Sequence, residues 1–125
     1  MNGPSNDIIA LVSKAFSTKG SLAKAITGFS PRQAQTDMAV DVAKAITQTS
    51  SLIVEAGTGT GKTFAYLIPA FLSLNAKQPK KIVVSTGTKN LQEQLFHKDI
   101  PLIKKVLKSN AQVALLKGRA NYLCN

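Results

Sequence analysis

Acidic side chains are scarce in this chain of 125 residues: six Asp and Glu stand against sixteen Lys and Arg, for a formal charge of +10. The deficit is uneven. Residues 1–62 carry six basic and four acidic side chains and residues 63–125 carry ten and two, so the halves hold +2 and +8. A basic second half suits a polyanion such as DNA or RNA; solvated lysines on helix faces are the plain alternative. A single cysteine, Cys124, excludes an internal disulfide. No apolar run approaches the roughly 18 residues that cross a bilayer, and the N-terminus has no basic, apolar, small-residue leader, so the expectation is a cytoplasmic protein without a membrane partner. Repeats and low-complexity stretches are missing too. What remains, 44% hydrophobic residues at a mean hydropathy of +0.04, is the composition of about one small globular domain.

The most informative stretch is Ser51 to Thr63, Ser-Leu-Ile-Val-Glu-Ala-Gly-Thr-Gly-Thr-Gly-Lys-Thr, an apolar β-rich run that turns directly into a glycine loop. From Ala56 it reads A-x-x-x-x-G-K-T, a phosphate-binding loop with alanine in place of the usual first glycine. Gly57, Gly59 and Gly61, alternating with Thr58 and Thr60, allow a tight turn that points backbone N–H groups into one concavity suited to a triphosphate. Lys62 adds a point charge for the β- and γ-phosphates, and the Thr63 hydroxyl is placed to ligate the bridging magnesium. A helix starting near Lys62 adds its positive end to the same anion.

The flanking pattern is βαβ. Residues 6–16 predict an amphipathic helix capped at Asn6 or Asp7, with Ile8, Leu11, Val12, Ala15 and Phe16 inward. Thr18 to Gly28 reads as a loop or irregular turn. Ser30-Pro31 predicts a helix start, serine capping and proline first, running to Thr47 with Ala34, Met38, Val42, Ala45 and Ile46 buried. Leu52–Glu55, Ile82–Ser85 and Gln112–Leu116 read as strands. Phe64–Leu74 is a buried helix that Pro69 should kink or shift. Lys77 to Lys81 is a basic turn around Pro79. Asn90–His97, with Leu91 and Leu95 inward, and a short segment opened by Pro101, with Leu102, Ile103, Val106 and Leu107 inward, are further helices. Alternating strands and helices predict an α/β fold with a parallel sheet, right-handed crossovers and the ligand at the carboxyl ends of the strands.

Three further stretches carry polar residues. Arg32 and Gln35 are spaced R-x-x-Q, and an amide there can read an adenine edge through one donor and one acceptor; ordinary helix-start polarity is the alternative. Ser85-Thr86-Gly87-Thr88 ends a strand and opens a helix, offering hydroxyls and N–H groups to a phosphate backbone but nothing that reads a base. Lys117-Gly118-Arg119-Ala120-Asn121-Tyr122-Leu123-Cys124 closes the chain with two cations and a thiol that by default is free.

Taken in order, R-x-x-Q-x-x-M, V-E-A-G-T-G-T-G-K-T, V-S-T-G-T-x-x-L-Q-E-Q-L and L-L-K-G-R-A-N-Y-L-C closely resemble the N-terminal part of the DinG-type, XPD-like iron–sulfur DNA helicases of superfamily 2. The YoaA branch is nearest, through the Leu22 to Ile26 run as well. The resemblance covers about residues 22–124. It implies a partial RecA-like phosphate-loop ATPase domain with a parallel sheet flanked by helices: residues 1–28 a helix and lead-in, residues 29–125 the first part of the ATP-binding domain up to the start of the iron–sulfur insertion. It implies ATP and Mg2+ as ligands, Arg32 and Gln35 as the adenine-sensing motif, Ala56, Gly57, Thr58, Gly59, Thr60, Gly61, Lys62 and Thr63 as motif I, and Ser85, Thr86, Gly87 and Thr88 as motif Ia on single-stranded or forked DNA. Cys124 falls where the family places the first of four ligands of a 4Fe-4S cluster. The chain departs from the family in having one of the four cysteines, no Asp-Glu-Ala-His motif and no second RecA-like domain. The expectation is therefore an N-terminal fragment of an ATP-dependent DNA helicase, with a role in DNA repair or replication. On its own it should be weak in nucleotide binding and inactive in turnover. The alternatives are an inactive nucleotide-binding fragment and a non-helicase phosphate-loop ATPase or kinase.

Overall fold

The computed structural model describes residues 4–55, 61–74 and 81–118. Among them the chain forms helices α1 (Pro4–Ala15), α2 (Ser21–Ala25), α3 (Gln33–Gln48), α4 (Lys62–Leu74), α5 (Lys89–Gln94) and α6 (Ile100–Leu107). A π-helical turn, Leu95–Asp99, fuses α5 to α6. The expected motif residues Ala56 to Thr60, the turn around Pro79, and Arg119 to Cys124 lie outside the described residues.

Helix α1 begins at Pro4 rather than at Asn6 or Asp7. Proline fits the first helical position because the N–H it lacks has no intrahelical partner there. Ile8, Val12, Ala15 and Phe16 enter the core as expected, while Leu11 sits at the edge of the stripe and is 47% exposed.

The predicted loop from Thr18 to Gly28 contains α2. Gly20 passes so close to the end of α1 that a Cβ would overlap the carbonyl oxygens of Lys14 and Ala15. That close pass sends Leu22 into full burial. Five residues are too few to hold a helix by local propensity, so tertiary burial sustains it.

Helix α3 starts two residues later than Ser30-Pro31 predicts. Pro31 holds the chain before it extended, and Arg32 is still extended (φ −117°, ψ 132°) with no side-chain cap; its carbonyl accepts the Thr36 N–H at 3.0 Å and the Thr36 hydroxyl at 3.2 Å. The buried ridge is Gln35, Ala39 and Ala43. Ala34 is exposed, and Met38, Val42, Ala45 and Ile46 flank the ridge half-buried. Small side chains on the central line let α1 and α4 approach closely, which moves the axis of burial by one residue. The helix closes with Thr49 in the left-handed region (φ 52°) and a bond of 3.0 Å from the Ser50 N–H to the Ala45 carbonyl.

Helix α4 is the central element, and Leu67, Ile68, Pro69, Ala70, Phe71 and Ser73 are all buried along it. Pro69 neither ends it nor moves its start; one missing ladder donor is tolerated where packing against α1, α3 and α6 holds the helix. The buried Ser73 hydroxyl donates to the Ala70 carbonyl at 2.7 Å.

The two helices expected over 90–107 are one continuous element. The ring of Pro101 would press on the carbonyl four residues back, and the preceding turn widens to accommodate it: the Ile100 N–H reaches the Leu95 carbonyl, five residues away. Leu95 and Ile103 are buried, but Leu91 is exposed, contrary to expectation.

None of the three predicted strands is hydrogen-bonded as a strand among the described residues. Residues 52–55, 82–85 and 112–116 carry no regular secondary structure. Their period-two pattern survives: Ile53 is 98% and Val83 91% exposed, while Leu52, Val54, Ile82 and Val84 are only about two-fifths exposed. A helix closes its bonds within one segment, whereas an extended segment becomes a strand only when another backbone lies beside it. Residues 111–117 are held instead by side chains. Ala111 and Val113 pack on the core, the Gln92 amide donates to the Leu116 carbonyl at 3.0 Å, and Lys117 pairs with Glu93 at 2.9 Å.

Candidate nucleotide-binding site

The N-termini of α3 and α4 converge. Gln35, in the first turn of α3, is only 6% exposed, and its Nε2 donates to the Gly61 carbonyl at 3.2 Å. The same carbonyl accepts the Ala65 N–H at 3.2 Å, the first helical bond of α4. Gly61 has φ +73°, and a Cβ there would overlap Gln35 Nε2. Glycine is thus required twice, by backbone conformation and by the amide packed against it.

Lys62 is the first residue of α4 and is exposed; Thr63 follows it, half-buried. The first N–H groups of this 13-residue helix, the Lys62 ammonium and the Thr63 hydroxyl therefore share one end, the arrangement that attracts a phosphate chain with its metal. Arg32 is exposed one turn before Gln35. The structure brings Gln35 against Gly61, with Lys62 and Thr63 next along the chain, and Arg32 stands one turn before Gln35 at the start of α3.

Ser85 to Thr88 form the lead into α5. Ser85, Gly87 and Thr88 are exposed and Thr86 is half-buried. Thr88 caps the helix, its Oγ1 accepting the Leu91 N–H at 3.2 Å, while the Thr86 hydroxyl donates to the Thr88 carbonyl at 3.4 Å. Residues 81–87 also border an open groove of about 920 Å3 against Val42, Ile46, Tyr66 and Ala70.

Three side chains that sequence reasoning did not single out also matter. Tyr66 lies one turn beyond Thr63 on α4; burial raises the phenol above its ordinary value, against a lowering effect from the Thr63 side chain, and Asp99 raises it further. The i,i+3 spacing was the available signal. Asp99, in the π-helical turn, is buried with no hydrogen-bond partner on Oδ2, and burial raises its carboxyl. Glu93 joins Lys117 Nζ at 2.9 Å and His97 Nε2 at 3.0 Å, and the hydrogen bond from Lys117 leads the effects that lower its carboxyl.

The DEAD/DEAH box helicase model matches residues 36–122. The chain belongs to the DEAD/DEAH box helicase family. Its fold class is accordingly the family's RecA-like α/β domain. Among curated relatives, the ATP-dependent DNA helicase YoaA of Haemophilus influenzae is 56% identical over 113 residues, 90% of this chain and 17% of the relative. YoaA of Escherichia coli is 58% identical over 109 residues, 87% of this chain and 16% of the relative. The ATP-dependent DNA helicase DinG of Escherichia coli is 40% identical over 105 residues, 82% of this chain and 14% of the relative. The chain thus spans about a sixth of the length of the relatives it matches. No helix among the described residues is long and apolar enough to cross a membrane.

Proposed function

We propose that this chain is the N-terminal ATP-binding portion of an ATP-dependent DNA helicase of the YoaA and DinG type, acting on cytoplasmic DNA in repair or replication. The observation that carries the reading is the bond from Gln35 Nε2 to the Gly61 carbonyl. It ties the R-x-x-Q stretch to the phosphate loop, so that an adenine held near Arg32 and Gln35 and a triphosphate held at α4 belong to one ligand.

In this reading the loop Ala56 to Gly61 and the N-terminus of α4 cradle the phosphates, and Lys62 balances their charge. The Thr63 side chain, half-buried at the start of α4, would hold a magnesium ion, which would supply neutralisation of phosphate charge. Ser85, Gly87 and Thr88 offer hydroxyl and backbone groups to the phosphates of single-stranded or forked DNA, sequence-independently. The basic half of +8 supports that contact. Residues 1–28 form a lead-in whose helix α1 packs on α3 and α4, residues 29–125 are the first part of the ATP-binding domain, and residues 52–55, 82–85 and 112–116 are strands of its parallel sheet once neighbours flank them. A 4Fe-4S cluster needs four thiolates, and this sequence has one. The described residues contain no group of three metal-binding side chains. The chain alone therefore does not fit a cluster, and Cys124 is proposed only as one ligand in a longer protein.

The test is equilibrium binding of a fluorescent ATP analogue to residues 1–125, beside Lys62→Ala. Saturable binding weakened at least tenfold by the substitution is expected, without steady hydrolysis. Binding indifferent to Lys62, or hydrolysis by the chain alone, would refute this reading.

A further inference from the structure

Phe96 and His97 follow each other in the π-helical turn Leu95–Asp99. Sequence neighbours on an α-helix do not face each other. In this wider turn the two rings meet edge to face, centroids 5.1 Å apart and planes at 89°. Glu93 holds the imidazole from one turn back, its Oε2 3.0 Å from Nε2. With Ile100, Pro101, Lys104 and Val113, this aromatic corner lines an open groove of about 520 Å3. Ile100 and Val113 pack on the buried core, whereas half-buried Phe96 is not among the described residues that do. Its ring forms groove wall rather than core. The charge around the groove is positive: Lys104 lines it, and Lys98, Lys105 and Lys108 are exposed on or just beyond the same continuous helix. The two acids of residues 89–118 are engaged or covered, Glu93 by His97 and Lys117, Asp99 by burial. An aromatic wall flanked by cations matches a single-stranded polyanion whose bases carry flat π faces; a neutral apolar partner would leave the lysines unmatched.

We propose that the groove beside Phe96 and His97 is a base-stacking site for single-stranded DNA, with one base against the Phe96 ring and a neighbouring phosphate on Lys104. This rests on the reading of the chain as a DNA-binding portion and goes beyond it. Residues 85–88 offer hydroxyl and backbone groups to phosphates only, whereas the groove takes a base, without preference for which, because every base has a π face. Thr88 caps the helix that runs on into the π-helical turn, and Phe96 stands eight residues further, about 12 Å along the axis. One strand therefore reaches both.

The experiment measures, by fluorescence anisotropy across a salt series, the affinity of the full chain for oligo(dT) and for an abasic oligomer of the same length and charge. Stacking of one base corresponds to about 5- to 150-fold in affinity. Phe96→Ala should lose a factor in that range for oligo(dT) and stay within about twofold for the abasic strand, while Phe96→Tyr, which keeps a stacking face, should bind oligo(dT) as the unaltered chain does. Lys104→Ala should weaken both oligomers alike and lower the salt slope by about one. The proposal is overturned if Phe96→Ala leaves oligo(dT) binding unchanged or weakens both oligomers alike, or if poly-glutamate of equal charge competes as well as oligo(dT). Failure of the unaltered chain to bind either oligomer overturns the DNA reading itself, and the stacking site falls with it.

Discussion

Replacing Gly61 with alanine perturbs the point where α3 and α4 meet, and the cost divides into two parts. At φ +73° an L side chain is strained, which costs about 1–2 kcal/mol. The new Cβ would also overlap Gln35 Nε2, so the amide must leave the Gly61 carbonyl. Losing that bond while Gln35 stays buried costs about 1 kcal/mol or somewhat more. The sum is about 2–3 kcal/mol, and for a chain of this size each kcal/mol lowers the melting temperature by about 3–5 °C. A fall of roughly 6–15 °C is expected, read by circular dichroism at the helix band. Gly87 is the control: a Cβ added there would meet no atom within 4 Å and its φ is not positive, so Gly87→Ala should be within about 0.5 kcal/mol of neutral. In a Gln35→Ala background, Gly61→Ala should cost only the backbone part, giving a coupling of about 1 kcal/mol in a double-mutant cycle. A neutral Gly61→Ala, or strict additivity with Gln35→Ala, would refute the claim that amide and loop are in contact.

Thr49→Gly should stabilise the chain by about 0.5–1.5 kcal/mol, measured by urea unfolding, because a β-branched residue is held at φ 52° on an exposed helix end; an unchanged midpoint would count against the helix closure described. Two acids should respond to pH with opposite signs. Glu93 has its folded carboxyl lowered, so the stability it contributes is present above its ordinary value of 4.5 and disappears as pH falls through the folded value. Asp99 has its folded carboxyl raised, so a penalty grows as pH rises above 3.8 and is complete above the folded value. At pH 7, melting curves should show Glu93→Gln less stable and Asp99→Asn more stable than the unaltered chain, and both differences should shrink toward pH 3. A like response of the two variants would contradict the assignment.

Most of the helices were legible because their signals are local. Periodicity placed α1, α3, α4 and the 90–107 region, and G-K-T fixed the start of α4. Where sequence and structure part, a contact between distant segments has overruled a local cue. Gly20 and Gly28 look like loop punctuation, yet Gly20 is where two backbones nearly touch and Leu22 is buried beyond it. Ser30-Pro31 looks like a cap, yet the extended backbone persists through Arg32. Pro101 looks like a helix start, yet the chain absorbs it in a wide turn and continues.

By itself the sequence singled out the candidate site residues: the glycines, lysine and threonine of the loop, the Arg32 and Gln35 pair, and the hydroxyls of 85–88. It also determined the period-two alternation of 52–54 and 82–84, because that alternation is a property of side-chain order. Tertiary structure alone decided that the Gln35 amide rests on the Gly61 carbonyl and that Asp99 is buried with an unpartnered oxygen. Each of those depends on where one helix lies against another or on how a turn widens. Backbone partners for an extended segment belong to the same class, since they come from elsewhere in space and no local pattern can supply them.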